Sequence, residues 1–200
     1  MLQSYLNGFL LTTSLIVALG AQNAFVLAQS LRREHHLASA LLCIVCDFLL
    51  ISAGVLGLAQ LISKSPELLA IARFGGAAFL FWYGFNALKR AAKPNALIAA
   101  SQASQSLSKV LLLTLSVTLL NPHVYIDTVL LIGSVGAQQG VPYAFILGAT
   151  SVSTLWFMSL ALGASHLAPR LAKPMTWRVI DCAIGLLMFA LASSLLLKPF

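Results

Sequence analysis

Between Lys109 and Arg170 the chain runs for sixty residues with one formal charge, Asp127. A run of that length cannot be covered by water in a soluble fold. It has to be shared out among helices whose backbone groups are satisfied internally, in lipid or deep inside protein. The rest of the chain is built the same way. Only 8% of residues are charged and 60% are hydrophobic, with a mean hydropathy of +0.93, whereas a soluble domain carries roughly 25% charged residues. The sequence is therefore that of a membrane protein, all-α, and its 200 residues hold about six spans of ~20 residues with short connections.

The charge-poor segments place spans near residues 4–29, 38–62, 67–88, 110–132, 143–165 and 178–197. The uncharged N-terminal run continues to Leu31 without a basic leader. It is too long for the apolar part of a secretory signal and reads as the first span. Ser65, Pro66 and Glu67 form a helix-start signal for the third, with Ser capping, Pro at the first position and an acid at the positive end. The Ala-, Ser- and Gln-rich stretch 89–109 divides a single membrane domain, 1–200, into three spans (1–88) and three more (110–200). It reads as a mobile or weakly helical linker.

Orientation follows from Lys and Arg. The loops after the first, third and fifth spans hold nine of the twelve: Arg32, Arg33, Lys89, Arg90, Lys93, Lys109, Arg170, Lys173 and Arg178. The other side holds Lys64 and Lys198. The basic loops are expected in the cytoplasm and both termini outside. A five-span reading with one re-entrant segment scrambles this segregation. Three spans per half make the halves enter the membrane in opposite directions, as in transporters built from two inverted three-helix repeats. The net charge of +7 is spread over short loops without interleaved aromatics, so nucleic acid is not an expected partner.

Two interruptions are the strongest pointers to a working site. The first span carries LGAQNAF (Leu19–Phe25) and the fourth carries LNPHVY (Leu120–Tyr125). Asn121 and Pro122 restart a helix, because Asn caps well and Pro suits the first helical position. At 1.5 Å per residue, Gly20 lies ~15 Å and Asn121 ~18 Å from the cytoplasmic ends of their spans, near the middle of the bilayer. Broken first helices of the two repeats would thus point positive N-terminal ends at a shared midplane. The plainer reading is a proline kink held by neighbouring helices.

Three of the five carboxylates lie in spans, and each costs roughly 2.5–3.5 kcal/mol at mid-membrane. Asp47 is ten residues into the second span with no basic residue on its helix, which makes it the leading functional candidate. A simple helix-to-helix hydrogen bond is the alternative. Asp127 follows His123 by one turn, on the same face. Asp181, three residues after Arg178, reads as an interfacial ion pair with it. Arg73, inside the third span, is expected to snorkel outward or to neutralise a carboxylate. His123 and Asp127 lack the further ligands of a metal site. Cys43 and Cys46 form a CxxC in an apolar helix, which keeps a membrane thiol–disulfide carrier as an alternative class. No catalytic serine arrangement or phosphate-binding loop occurs, so neither an enzyme nor a cofactor is expected.

GAQNAFVL (Gly20–Leu27), LRREHH, Asp47, WYGF (Trp82–Phe85) and NPHVYIDT (Asn121–Thr128) together resemble the LysE family of basic amino-acid exporters, most closely its arginine-exporting branch. The likeness runs over essentially the whole chain. Many members have Gly-Pro-Gln-Asn where this chain has Gly20-Ala21-Gln22-Asn23, so the first break rests on Gly20. The resemblance implies a secondary transporter of the bacterial inner membrane, exporting arginine or lysine at the expense of the proton-motive force. For such a substrate the residues themselves suggest a site of Gln22, Asn23, Asn121, His123, Tyr125 and Asp127 beside the helix breaks at Gly20 and Pro122, with proton coupling at Asp47 because burial can raise a carboxylate's pKa. The expected partners are the amino acid, protons and bilayer lipid, with a homo-oligomer left open. A metal-cation exporter of the same superfamily is the remaining alternative.

Overall fold

The computed structural model describes residues 1–17, 20–58, 66–92, 105–121, 124–168 and 174–197. Among these there is no β-strand. The helices are α1 (Leu2–Ile16), α2 (Ala21–Arg32), α3 (His36–Ala53), α4 (Pro66–Ala92), α5 (Leu107–Leu119), α6 (Tyr125–Ala137), α7 (Pro142–Leu167) and α8 (Pro174–Leu197). Their starts follow local chemistry. Pro66, Pro142 and Pro174 each open a helix, where a missing N–H costs nothing. Ser106 caps α5 by accepting from the Lys109 N–H. The segment His36–Gly57 and α7 are each long and apolar enough to cross a bilayer, and α1 with α2 meets the same test as a pair bent by 76°. At 27 and 24 residues, α4 and α8 also have the length to cross.

The segment expected as the first span, with a break at Gly20, is two helices, α1 and α2, and that expected as the fourth divides into α5 and α6. Two π-helical turns went unforeseen: Gly54–Leu58, which continues α3 and contains Gly57 at φ 122°, and Tyr125–Ile132, which opens α6. The helix α4 runs to Ala92, so the expected linker loses its first residues to a helix. Most of that linker lies outside the described residues, as do Ser65 and the side chain of Arg73.

Packing between helices depends on three glycine contacts. Gly8 of α1 and Gly148 of α7 sit so close that a Cβ on either would overlap a backbone carbonyl, Phe145 O or Tyr5 O. The Tyr5 hydroxyl donates to Ser151 Oγ at 3.1 Å along the same seam. Gly54 meets Gly133 of α6, and Gly84 of α4 meets Gly185 of α8. Small residues allow backbones this near where lipid supplies no hydrophobic drive between helices. Around these seams, one core joins Phe25, Leu80, Tyr83, Val117 and Met188, while a second joins Val26, Cys43 and Phe157. The outside is apolar: Leu10, Leu49, Phe85, Leu147 and Leu186 are all exposed, as a lipid-facing surface requires.

Gly148→Ala is expected to lose about 1–3 kcal/mol by overpacking the α1–α7 seam. Gly163→Ala, on the same helix, meets nothing within 4 Å and should gain up to ~1 kcal/mol from helix propensity. Thermal unfolding in one detergent measures both, and equal shifts would remove the seam from the account.

The expected Asp181–Arg178 pair does not form. Asp181 is fully buried and its Oδ1 takes Arg32 Nη2 at 2.7 Å and Arg90 Nη2 at 3.0 Å. Arg178 Nε instead donates to Ala91 O at 3.0 Å. Three residues' separation put Arg178 and Asp181 near in sequence, but Asp181 faces inward to α2 and α4 while Arg178 reaches along the rim. The carboxylate therefore ties α2, α4 and α8 together.

Candidate functional site

The break after α1 leaves its end and the start of α2 to be held by side chains. Gly20 is the N-cap of α2, with extended backbone (φ −93°, ψ 176°), and its carbonyl accepts the Ala24 N–H. As a glycine, this N-cap has no side chain to offer the first N–H groups of α2. Asn23 spans the gap: its Nδ2 donates to Ile16 O at 2.8 Å, and its Oδ1 accepts from Trp156 Nε1 at 3.1 Å. The break needs no proline, because glycine and a bridging amide suffice.

The fourth-span break is built differently. The helix α5 ends at Leu119, Asn121 is buried, and its carbonyl accepts the Val124 N–H at 3.1 Å. The chain then resumes as the π-helical turn of α6, a geometry often found at functional positions. Pro122 and His123 lie outside the described residues.

Between the two breaks lies a cavity of about 250 Å³, near the lower edge of small-ligand pockets. Its walls bring together Gly20, Gln22 and Asn23 from the first break, Asn121 and Asp127 from the second, and Asp47 from the middle of α3. Tyr125 is half-buried and is not among the lining residues. Cys43 and Cys46 are free, buried and likewise outside the lining, so the CxxC is not presented to this space.

Asp47 is buried and accepts a hydrogen bond at Oδ2 from Ser153 Oγ of α7 at 2.7 Å. Asp47 thus makes a helix-to-helix hydrogen bond, as its acceptor, and its carboxylate also lines the cavity. Asp181 has Arg32 and Arg90 as its cations, whereas Asp47 makes no ion pair among the described residues. One other polar atom in the wall, Thr12 Oγ1, is buried without a hydrogen-bond partner. Unsatisfied buried groups cost about 1–3 kcal/mol each, a cost that a polar occupant would relieve.

Thr12, Thr128, Ser153 and Trp156 escaped the sequence reading. Thr128 closes the NPHVYIDT stretch and could have been found with it. The other three sit in uncharged helices as ordinary small or aromatic residues, and only the folded arrangement brings them to the site.

The chain matches the family model described as LysE type translocator over residues 13–199. It is 47% identical over 198 residues to the arginine exporter protein ArgO of Enterobacter sp. (strain 638), covering 98% of this chain and 94% of that protein. It is also 47% identical over 194 residues to ArgO of Klebsiella pneumoniae (strain 342), covering 96% and 92%. For ArgO of Salmonella typhimurium (strain LT2) the identity is 46% over 198 residues, covering 98% and 94%. No solved structure is similar enough to match.

Proposed function

The chain belongs to the LysE type translocator family, and we propose that it exports arginine across the bacterial inner membrane by exchanging it for protons at the cavity between the two helix breaks. The observation that carries this reading is the convergence in one cavity of two carboxylates, three side-chain amides and two helix starts. Arginine offers a carboxylate, an α-ammonium and a guanidinium, and the cavity has a counterpart for each. The start of α2 with Asn23, and the restart at Asn121, suit the carboxylate, since helix N-termini favour anions. Asp47 and Asp127 suit the two cationic groups. Lysine, with a shorter cationic side chain, fits the same scheme.

Outward movement of a cation against an inside-negative potential costs about 2.3 kcal/mol per 100 mV. An aspartate that holds either one cation or one proton cancels that cost, because the returning proton carries the same charge inward. Asp47 fits this role, being buried at the cavity with no ion pair among the described residues. The arrangement we favour has six spans as two inverted repeats: α1–α2, α3 and α4 against α5–α6, α7 and α8. What supports it is that the packing partners exchange under such a symmetry, α4 with α8 and α3 with α7. The basic loops then lie in the cytoplasm and both termini in the periplasm.

The test is efflux of labelled arginine, lysine and a neutral amino acid from reconstituted vesicles. Arginine is expected to leave faster than the neutral amino acid, with acceleration by an inward proton gradient. Asp127→Asn should raise the arginine Kd about tenfold, some 1.4 kcal/mol, with the proton dependence of efflux little altered. Equal affinity in mutant and wild type would remove Asp127 from the site. Transport that is indifferent to the proton gradient would remove the coupling.

A further inference from the structure

Serine and threonine inside a membrane helix ordinarily turn their hydroxyl back to the carbonyl one turn earlier. The helix α7 shows this twice: Ser151 Oγ donates to Leu147 O at 2.8 Å and Thr154 Oγ1 to Thr150 O at 2.9 Å. Ser153, between them and buried, departs from the habit. Its hydroxyl crosses to α3 and donates to Asp47 Oδ2 at 2.7 Å. One turn further, on the same face of α7, Trp156 holds Asn23. A single helix thus fixes one group at the coupling carboxylate and one at the first break.

We propose that Ser153 is a positioning residue for proton exchange at Asp47, a hydroxyl with two settings. With Asp47 as carboxylate, Ser153 donates to Oδ2 and leaves the carboxylate directed for a substrate cation. When a proton arrives through the cavity it ends on an Asp47 oxygen, forming the acid and releasing the cation. Ser153 keeps its own hydrogen throughout and only changes acceptor. It turns to the carbonyl one turn back, as its neighbours do, and accepts the acid's O–H. A hydroxyl is suited to this because it both donates and accepts, so Asp47 stays in place in either state. Asp47 is also faced by Gln22 of α2, by Cys43 and Cys46 on its own helix and by Asp127 across the cavity. An alanine in place of Ser153 would leave the carboxylate without the hydroxyl donor and the acid without its acceptor.

This rests on the reading that Asp47 exchanges protons, and the experiment separates the two. Arginine affinity is measured against pH in detergent for wild type, Ser153→Ala, Ser153→Thr and Asp47→Asn. Loss of a donor to the charged form lets protonation win sooner, so in Ser153→Ala the pH at which affinity falls by half should move upward by about one unit. Ser153→Thr, which keeps the hydroxyl, should restore the wild-type midpoint. A purely structural role would lower affinity at every pH and leave the midpoint where it was. If Asp47→Asn abolishes the pH dependence while Ser153→Ala keeps the wild-type midpoint, Ser153 has no such role and the coupling reading stands. A midpoint shifted equally in the alanine and threonine variants also overturns the hydroxyl's role. Should Asp47→Asn keep the wild-type pH profile, the coupling reading and the role of Ser153 fall together.

Discussion

Asp47→Asn is expected to yield a folded protein that no longer concentrates arginine outside against its gradient. The substitution keeps the shape of the side chain, and the amide oxygen can still accept from Ser153, whose hydroxyl lies 2.7 Å from Oδ2. The cost to the fold is therefore small. What disappears is the exchangeable charge: an amide neither takes up a proton in the working range nor balances a cation. Removing one partner of a buried charge pair costs about 2–5 kcal/mol, so arginine efflux should fall about 30-fold or more. The measurement is accumulation of labelled arginine across proteoliposomes with an imposed pH gradient, together with thermal unfolding of the same preparation. A mutant that still drives arginine uphill would end the coupling role of Asp47. A mutant that unfolds early would show instead that the Asp47 carboxylate serves the fold rather than transport.

The features of this site that were legible in the sequence are those where local chemistry departs from what a lipid-facing helix tolerates. Asn121-Pro122 stood out because both residues are poor in helix interiors and good at helix starts. Gly20 stood out through the run of polar residues after it. Asp47 stood out because a carboxylate at mid-membrane needs a reason. What stayed hidden depends on contacts between distant segments. Asp181 looked paired with its neighbour Arg178, but its partners Arg32 and Arg90 lie 149 and 91 residues away. Ser153 carries no signal at all, since its importance lies in which of two acceptors its hydroxyl has taken. The π-helical turns at Gly54–Leu58 and Tyr125–Ile132 also have no counterpart in hydrophobic periodicity, which cannot register one extra residue per turn.

The second large effect is expected at the Asp181 cluster, and its sign depends on which charges are removed together. Both arginines bond the same oxygen, Oδ1, while Oδ2 is buried without a partner. The carboxylate side chain is 0% exposed, but Arg32 and Arg90 retain 18% and 26%, so either guanidinium can be rehydrated from the rim. The burial penalty therefore falls on Asp181. Arg32→Gln or Arg90→Gln alone leaves it one cation and should cost about 1–2 kcal/mol. The pair together strands a buried charge, and the loss should exceed the sum of the singles by about 1–3 kcal/mol. Asp181→Asn in the wild type should cost about 3 kcal/mol, the low end for breaking a buried pair. The same Asp181→Asn added to the double-glutamine variant should restore stability, because it removes the stranded charge rather than a partner. Unfolding midpoints of these variants in one detergent decide the matter. If the two single losses simply add, or the triple variant is no more stable than the double, the three helices are held by their apolar packing, with the Gly84–Gly185 seam between α4 and α8, and the ion cluster is incidental.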